Sequence, residues 1–243
     1  RLAYFASPSK DSTRVALWMV SGDFAEVAVF LVTVGQPDSW QRLTGSLTSS
    51  PSAPIAWTPD DGYLLVGNLK IDVLTGASEV TDYNGIALND ASTTSMASGN
   101  WIASLADDAN SQEQVVLIPI FPNGVLDNSR EITFVTNFAV GVGPFPDWPA
   151  ISPDGARLAF GDYDAIAPGT ADHGDVYALE NVPAIVAAPK SSGQISSLAP
   201  LGAGDANVVA IRTTEDSVDN FSHVPLYAQD QSILFFLEDW NNT

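Results

Sequence analysis

The chain contains no cysteine, which excludes disulfide bonds, thiolate metal sites and thiol catalysis. Positive charge is also scarce: 9 Lys and Arg stand against 29 Asp and Glu, so the formal net charge is −20. Such a surface repels nucleic-acid phosphates and anionic lipid, which argues against DNA or RNA binding. It favours a secreted or periplasmic protein, a protein from a salty environment, or one with a basic partner. The absence of cysteine leaves the compartment open.

Long apolar runs and helical periodicity are missing as well. The longest dense apolar segment, residues 27–34, has the length of a strand and not the ~20 residues of a membrane span. No long stretch repeats apolar residues at the spacing of a helix face. We therefore expect no transmembrane segment and a folded, turn-rich chain with few helices. Residues 1–5 already resemble a strand and lack an initiator Met, which predicts a processed or trimmed N-terminus and leaves a lost export signal open.

The best-marked local pattern is a strand, a tight turn and a second strand over residues 147–160. Ser152-Pro153-Asp154-Gly155 supplies a side-chain oxygen, a fixed φ and a glycine that is free to take positive φ, as a turn requires. Leu158 and Phe160 then alternate with Arg157 and Ala159, which is the period of a strand.

A second copy of this pattern lies upstream, at Thr58-Pro59-Asp60-Asp61-Gly62, with one extra aspartate. From Pro59 to Pro153 is 94 residues, or two units of about 47, close to the ~40–45 residues of a propeller blade. The two segments resemble the repeat of the TolB-type or PD40 (WD40-like) β-propellers, in which an aromatic residue precedes Ser-Pro-Asp-Gly and an apolar strand.

This resemblance implies an all-β fold: one β-propeller of five or six four-stranded blades, in a ring closed by strands from both chain ends. Residues 2–5 are predicted to be the second strand of a blade, and a sixth, degenerate unit would lie within residues 15–34. The whole chain is then a single domain, with approximate units at 1–48, 49–82, 83–138, 139–200 and 201–243. A blade cannot bury both of its faces alone, so the blades must stack around the ring.

Signatures of nucleophilic catalysis are missing. The only histidines, His173 and His223, lie in polar segments, and no Gly-x-Ser-x-Gly elbow occurs. Asp60, Asp61 and Asp154 are interpreted as turn formers that bond to the local backbone. We therefore predict that the chain is not an enzyme.

One acidic segment is a candidate metal site. Asp162, Asp164, Asp172 and Asp175 place carboxylates at the two ends of one loop, and Ca²⁺ prefers such oxygen ligands. Their spacing does not match a calcium-binding EF-hand loop. Two alternative interpretations remain: an acidic surface loop without metal, and a transition-metal site that includes His173. No other cofactor is predicted.

The tryptophans divide into two groups. Trp57 and Trp148 precede the repeated turns and are predicted to pack between blades. Trp18, Trp40, Trp101 and Trp240 are less constrained, and an exposed aromatic rim would suit a sugar or a protein partner.

The sequence as a whole favours a non-catalytic interaction or scaffold module, periplasmic or extracellular, and a subunit of a larger assembly. Its predicted partner is another protein with a basic surface. Two alternatives remain: a propeller enzyme that uses carboxylates in the central channel, either a glycoside hydrolase or a metal-dependent hydrolase or lactonase, and a surface-structural protein.

Overall fold

The computed structural model describes residues 2–20, 27–36, 38–44, 55–88, 91–138, 146–162, 175–180, 182–187, 220–227 and 233–239. Within these ranges the chain forms successive antiparallel sheets. In each sheet the spatial order of the strands equals their order in the chain, so every sheet is a simple meander.

The first three sheets are complete four-stranded blades. Blade 1 comprises β1 (Leu2–Pro8), β2 (Arg14–Val20), β3 (Val27–Thr33) and β4 (Gln41–Arg42). Blade 2 comprises β5 (Ala56–Trp57), β6 (Tyr63–Val66), β7 (Leu69–Asp72) and β8 (Ser78–Val80). Blade 3 comprises β9 (Ser92–Met96), β10 (Gly99–Asp107), β11 (Glu113–Ile120) and β12 (Thr133–Phe134).

The fourth sheet has three described strands: β13 (Pro146–Ile151), β14 (Arg157–Asp162) and β15 (Asp175–Glu180). A short helix, α1 (Val182–Ala187), follows it. The last described elements are β16 (Asn220–Tyr227) and β17 (Ile233–Asp239), which pair with each other as a hairpin. In the described part of the chain no helix is long and apolar enough to cross a bilayer.

Strand alternation places each blade between two cores. Leu64 and Leu65 are adjacent on β6 and both are buried, but Leu64 packs with blade 1 and Leu65 packs with blade 3. On β10, Ile102 likewise belongs to the core with blade 2, and Trp101 belongs to the core with blade 4. Successive side chains of a strand point to opposite faces, so a buried strand needs a neighbour on each side. This arrangement confirms that the blades bury their faces by stacking.

The meander also fixes which connections share a side. Chain direction reverses at each strand, so the links from first to second strand and from third to fourth strand lie at the same end of a blade. We call this end the turn side. Hydrogen bonds join the turn sides of neighbouring blades. Lys10 N donates to Asp61 Oδ1 between blades 1 and 2, and Asp60 N donates to the Pro122 carbonyl between blades 2 and 3.

Three details of the predicted architecture are wrong. The described residues form four blades, not five or six. The strand that begins at Leu2 is the first strand of its blade and pairs with β2, so it is not a second strand. Residues 15–34 contain no sixth unit, because they supply β2 and β3 of blade 1. Closure of the ring by both chain ends stays a prediction.

Candidate interaction surface

The Ser152–Gly155 turn forms as the sequence predicts. Gly155 has φ +70° and its N–H donates to the Ser152 carbonyl at 2.8 Å. The Ser152 hydroxyl donates to Asp154 Oδ1 at 2.6 Å and accepts from the backbone N–H of Arg157. Asp154 also accepts from the Ala156 N–H. The Ser152 hydroxyl, followed by the Ala156 N–H, lowers the pKa of Asp154, so this carboxylate stays ionised.

The turn of blade 2 has the same geometry without an insertion. Thr58 Oγ1 donates to Asp60 Oδ1 at 2.7 Å, and the N–H of Tyr63 donates back to Thr58 Oγ1. Asp61, with φ +54°, stands where Gly155 stands in blade 4. The aspartate that looked extra in the sequence therefore occupies the left-handed position, and Gly62 corresponds to Ala156. Aspartate tolerates this conformation better than most residues with a Cβ.

Blade 1 carries a third copy that sequence reasoning missed. The Ser9 hydroxyl donates to Asp11 Oδ1 at 2.6 Å and accepts from the N–H of Arg14, and Ser12 takes φ +58°. This copy lacks both the proline and the glycine, so only Ser-x-Asp marks it. The Ser9 hydroxyl and the Thr13 N–H and hydroxyl lower the pKa of Asp11 to about 2.

Asp61 also joins blades 1 and 2. Its two carboxylate oxygens accept from the backbone N–H groups of Lys10 and Asp11, at 3.0 and 3.1 Å. Its carbonyl accepts from Arg14 Nη2 at 3.0 Å. The Arg14 guanidinium lies over the ring of Trp57, 5.0 Å from its centroid. The turn side of this junction is thus held by polar contacts above the apolar core.

Arg130 organises the turn side of blade 3. Its guanidinium donates to Asp127 Oδ2 at 2.8 Å and to the carbonyls of Ser98, Asn100 and Ile120 at 2.9–3.0 Å. It also lies 4.6 Å from the ring centroid of Trp101. These contacts fix the β11–β12 connection against the β9–β10 turn.

Exposed apolar side chains gather at one kind of connection. Of the six large hydrophobic residues exposed in the described part of the chain, five lie between the third and fourth strands of a blade. The five are Val34 and Trp40 in blade 1, Leu74 in blade 2, and Phe121 and Val125 in blade 3. The sixth, Val80, ends the outer strand β8. We call the five residues the apolar rim; all of them lie on the turn side.

The members of the apolar rim are held on ordered turns. Asp72 Oδ1 accepts from the N–H groups of Leu74 and Thr75, both at 2.8 Å, and these two bonds, the one from Thr75 first, lower the pKa of Asp72. Phe121 and Val125 face each other, since the Phe121 N–H donates to the Val125 carbonyl. Large apolar side chains that are exposed on ordered turns are typical of surfaces that bind other proteins.

The predicted metal site is described only in part. Asp162 ends β14 and Asp175 begins β15, and the two are paired in register at the end where residues 163–174 connect these strands. Asp164 and Asp172 lie outside the described residues. Among the residues that are described, no group of three or more His, Asp or Glu is placed to hold a metal ion. The Ca²⁺ site therefore stays a prediction.

The tryptophans separate by burial. Trp57 lies in the core between blades 1 and 2, as predicted, and Trp148 is half-buried. Trp18 and Trp101 are buried as well, so a partner cannot reach them. Trp40 is 52% exposed, with its ring edge-on to Phe30. Trp240 lies outside the described residues.

Neither a family model nor a curated protein matches the sequence. Among solved structures, the chain is similar to the native arabinanase of Bacillus subtilis, at 9% identity and a TM-score of 0.51, over 100% of this chain and 91% of that one. It is similar to TolB from Acinetobacter baumannii at 14% identity and a TM-score of 0.49, over 72% of this chain and 40% of TolB. It is also similar to the periplasmic gluconolactonase of Pseudomonas aeruginosa at 13% identity and a TM-score of 0.46, over 99% of this chain and 76% of that one.

At these identities the likeness extends to the fold alone. The matches include enzymes, so they do not decide whether this chain is one. The stacked meander blades, together with the arabinanase match, show a β-propeller arrangement, consistent with the TolB/PD40-type repeat that the sequence predicts.

Proposed function

We propose that this chain is a non-catalytic protein-interaction module that binds its partner through the turn side. The observation that carries the proposal is the apolar rim, in which the same connection of three successive blades exposes large hydrophobic side chains. Exposed apolar side chains scattered singly are normal on a protein surface, but repetition at equivalent positions is not expected by chance.

The rim has the properties of a binding surface. Trp40 and Phe121 are about half exposed, so each keeps one face packed on the protein and offers the other to a partner. An aromatic side chain supplies large contact area with few rotatable bonds, which is why such residues dominate binding energy at interfaces. The hydrogen-bonded turns below them limit the entropy lost on binding.

The setting proposed for this module is outside the cytoplasm, as a subunit of a larger assembly. The net charge of −20 supports a periplasmic or extracellular setting and a partner of opposite charge. The enzyme and surface-structural alternatives stay predictions. Hydrolysis of a polysaccharide or a lactone by the purified chain would favour the first, and self-assembly into a lattice would favour the second.

Capture experiments with matched variants test the proposal. The wild-type chain, a triple variant with Trp40→Ser, Leu74→Ser and Phe121→Ser, and the single variant Val80→Ser are each immobilised and exposed to an envelope extract of the source cells. Val80 is 77% exposed but lies outside the apolar rim, so it controls for the loss of any exposed apolar side chain. We expect a partner that the wild type and Val80→Ser retain and the triple variant loses. Equal retention by all three, or no partner at low and moderate salt, would overturn the proposal.

A further inference from the structure

We infer that the rim of blades 1 and 2 is a docking site for a basic segment of the partner, with Trp40 and Leu74 as apolar anchors and Asp38 and Asp72 as the charges that receive its lysines or arginines. The inference rests on the proposed function and specifies the chemistry of the partner.

The two connections are neighbours. A Cβ placed on Gly76 would lie 2.5 Å from the Leu43 carbonyl oxygen, so the β7–β8 turn touches the chain just after β4. Leu74 is two residues from Gly76 and Trp40 is three residues from Leu43. At ~3.5 Å per residue, each anchor lies within about 10 Å along the chain from this junction. A single short segment can therefore contact both.

Each anchor has an aspartate two residues before it in the chain. Asp38 precedes Trp40 in an exposed stretch, and Asp72 precedes Leu74. The two backbone N–H donors that lower the pKa of Asp72 keep it ionised at neutral pH. An apolar anchor beside a fixed negative charge complements a segment in which apolar and basic side chains alternate.

Three arginines near the turn side make contacts within the chain. Arg14 is held by the Asp61 carbonyl and the Trp57 ring, and Arg130 by Asp127 and three backbone carbonyls. Arg42 Nε donates to the Thr44 carbonyl at 2.8 Å. These contacts fix the arginines in place but leave their positive charge, and Arg42 is exposed. The field that a partner meets is negative because 29 acidic residues outnumber 9 basic ones. A second copy of this chain would bring another net charge of −20, so self-association at this site is opposed by repulsion.

Labelled synthetic peptides provide the test. The probe is a 12-residue peptide of lysine and serine with two leucines; one control replaces the leucines by serine, and another replaces the lysines by glutamate. Binding to the full chain is followed by fluorescence anisotropy at low and moderate salt. We expect only the lysine–leucine peptide to bind, with affinity falling about tenfold in Trp40→Ser and in Leu74→Ser, an effect typical of interface anchors.

Further variants separate the contributions. Val80→Ser should bind as the wild type does, and Asp38→Asn should bind several-fold more weakly with a shallower salt dependence, since it removes charge and keeps shape. Circular dichroism confirms that each variant is folded. The inference is overturned if Trp40→Ser and Leu74→Ser leave peptide binding unchanged, if the leucine-free peptide binds equally well, or if sedimentation shows a dimer that Leu74→Ser dissociates. A partner captured through the apolar rim whose binding is insensitive to salt would overturn this inference and leave the proposed function standing.

Discussion

The carboxylate of Asp61 accepts a hydrogen bond from the backbone N–H of Lys10, 51 residues earlier in the chain. The same residue holds the left-handed position of its own turn, with φ +54°. One side chain thus joins two blades at a position where the equivalent residue of blade 4 is the glycine of the repeat.

Asp61→Gly and Asp61→Asn should have different effects. Glycine relieves the left-handed backbone but removes both bonds to blade 1, and asparagine keeps the backbone preference and one acceptor. We expect Asp61→Gly to lower the free energy of unfolding by about 1 kcal/mol, because the hydrogen bonds outweigh the relieved strain, and Asp61→Asn by less. Urea unfolding measures both. A Gly variant more stable than the wild type would show that the bonds across the junction contribute nothing.

Gly155→Ala should destabilise blade 4. Its φ of +70° is unfavourable for alanine, and the added Cβ would meet the side chain of Met96 on the neighbouring blade. We expect a loss of about 1–3 kcal/mol in thermal or urea unfolding. Because Met96 is flexible, adding Met96→Ala should recover the part of the loss that comes from the clash and leave the backbone strain. An unchanged stability in Gly155→Ala would contradict the geometry of this turn.

Arg130→Lys should cost more than an ordinary surface substitution. A lysine ammonium cannot reach three carbonyls and Asp127 in the planar arrangement that the guanidinium provides. We expect a loss of about 2–3 kcal/mol, because carbonyls of Ser98, Asn100 and Ile120 lose a charged donor. The matched control is Arg157→Lys, since Arg157 is 46% exposed and its contact with Glu180 is 4.0 Å long. Similar losses in both variants would refute a special role for Arg130.

Acid should weaken the turns of the repeat. Hydrogen bonds that the ionised form accepts lower the folded-state pKa of Asp11 to about 2 and that of Asp154 below its usual value. A lowered folded pKa means that the contribution to stability is complete above the unfolded value of about 4 and is lost as the pH falls towards the folded value. We expect the melting temperature of the wild type to approach that of Asp11→Asn/Asp154→Asn between about pH 4 and pH 2. Acid also relieves repulsion among the other carboxylates, and this effect is the same in the wild type and in the double variant. As a control, the melting temperature of Val80→Ser should differ from that of the wild type by the same amount at every pH. If the difference in melting temperature between the wild type and the double variant stayed constant from about pH 4 to pH 2, the lowered pKa values of Asp11 and Asp154 would be contradicted.

The sequence predicts the local structure of this chain better than its assembly. Ser152–Gly155 and Thr58–Asp61 were identifiable because their turn chemistry is local, and strands β2, β3, β10 and β11 because their apolar runs are dense. The turn at Ser9–Ser12 was not predicted because Ser12 takes the left-handed conformation where the repeat has a glycine. The number of blades was predicted to be higher than the four that the described residues form, because the sequence does not show which apolar runs pair with one another.

The candidate surface was only partly accessible to sequence reasoning. The sequence left Trp18, Trp40, Trp101 and Trp240 unassigned between the core and an exposed aromatic rim, and only strand register buries Trp18 and exposes Trp40. The bonds from Asp61 to residues 10 and 11 join segments about one repeat apart, and no local pattern reports such a contact. Leu74 and Phe121 continue apolar strand patterns in the sequence, and only the structure places them after the ends of β7 and β11 and exposes them.

The division of Leu64 and Leu65 between two cores implies that no blade can be removed without exposing its neighbours. A chain that ended after residue 138 would expose to water the face of blade 3 that carries Trp101 and Leu117. We expect this truncated chain to aggregate, or its blades 2 and 3 to unfold together. The apolar rim is therefore tested better by single substitutions in the full chain than by truncation.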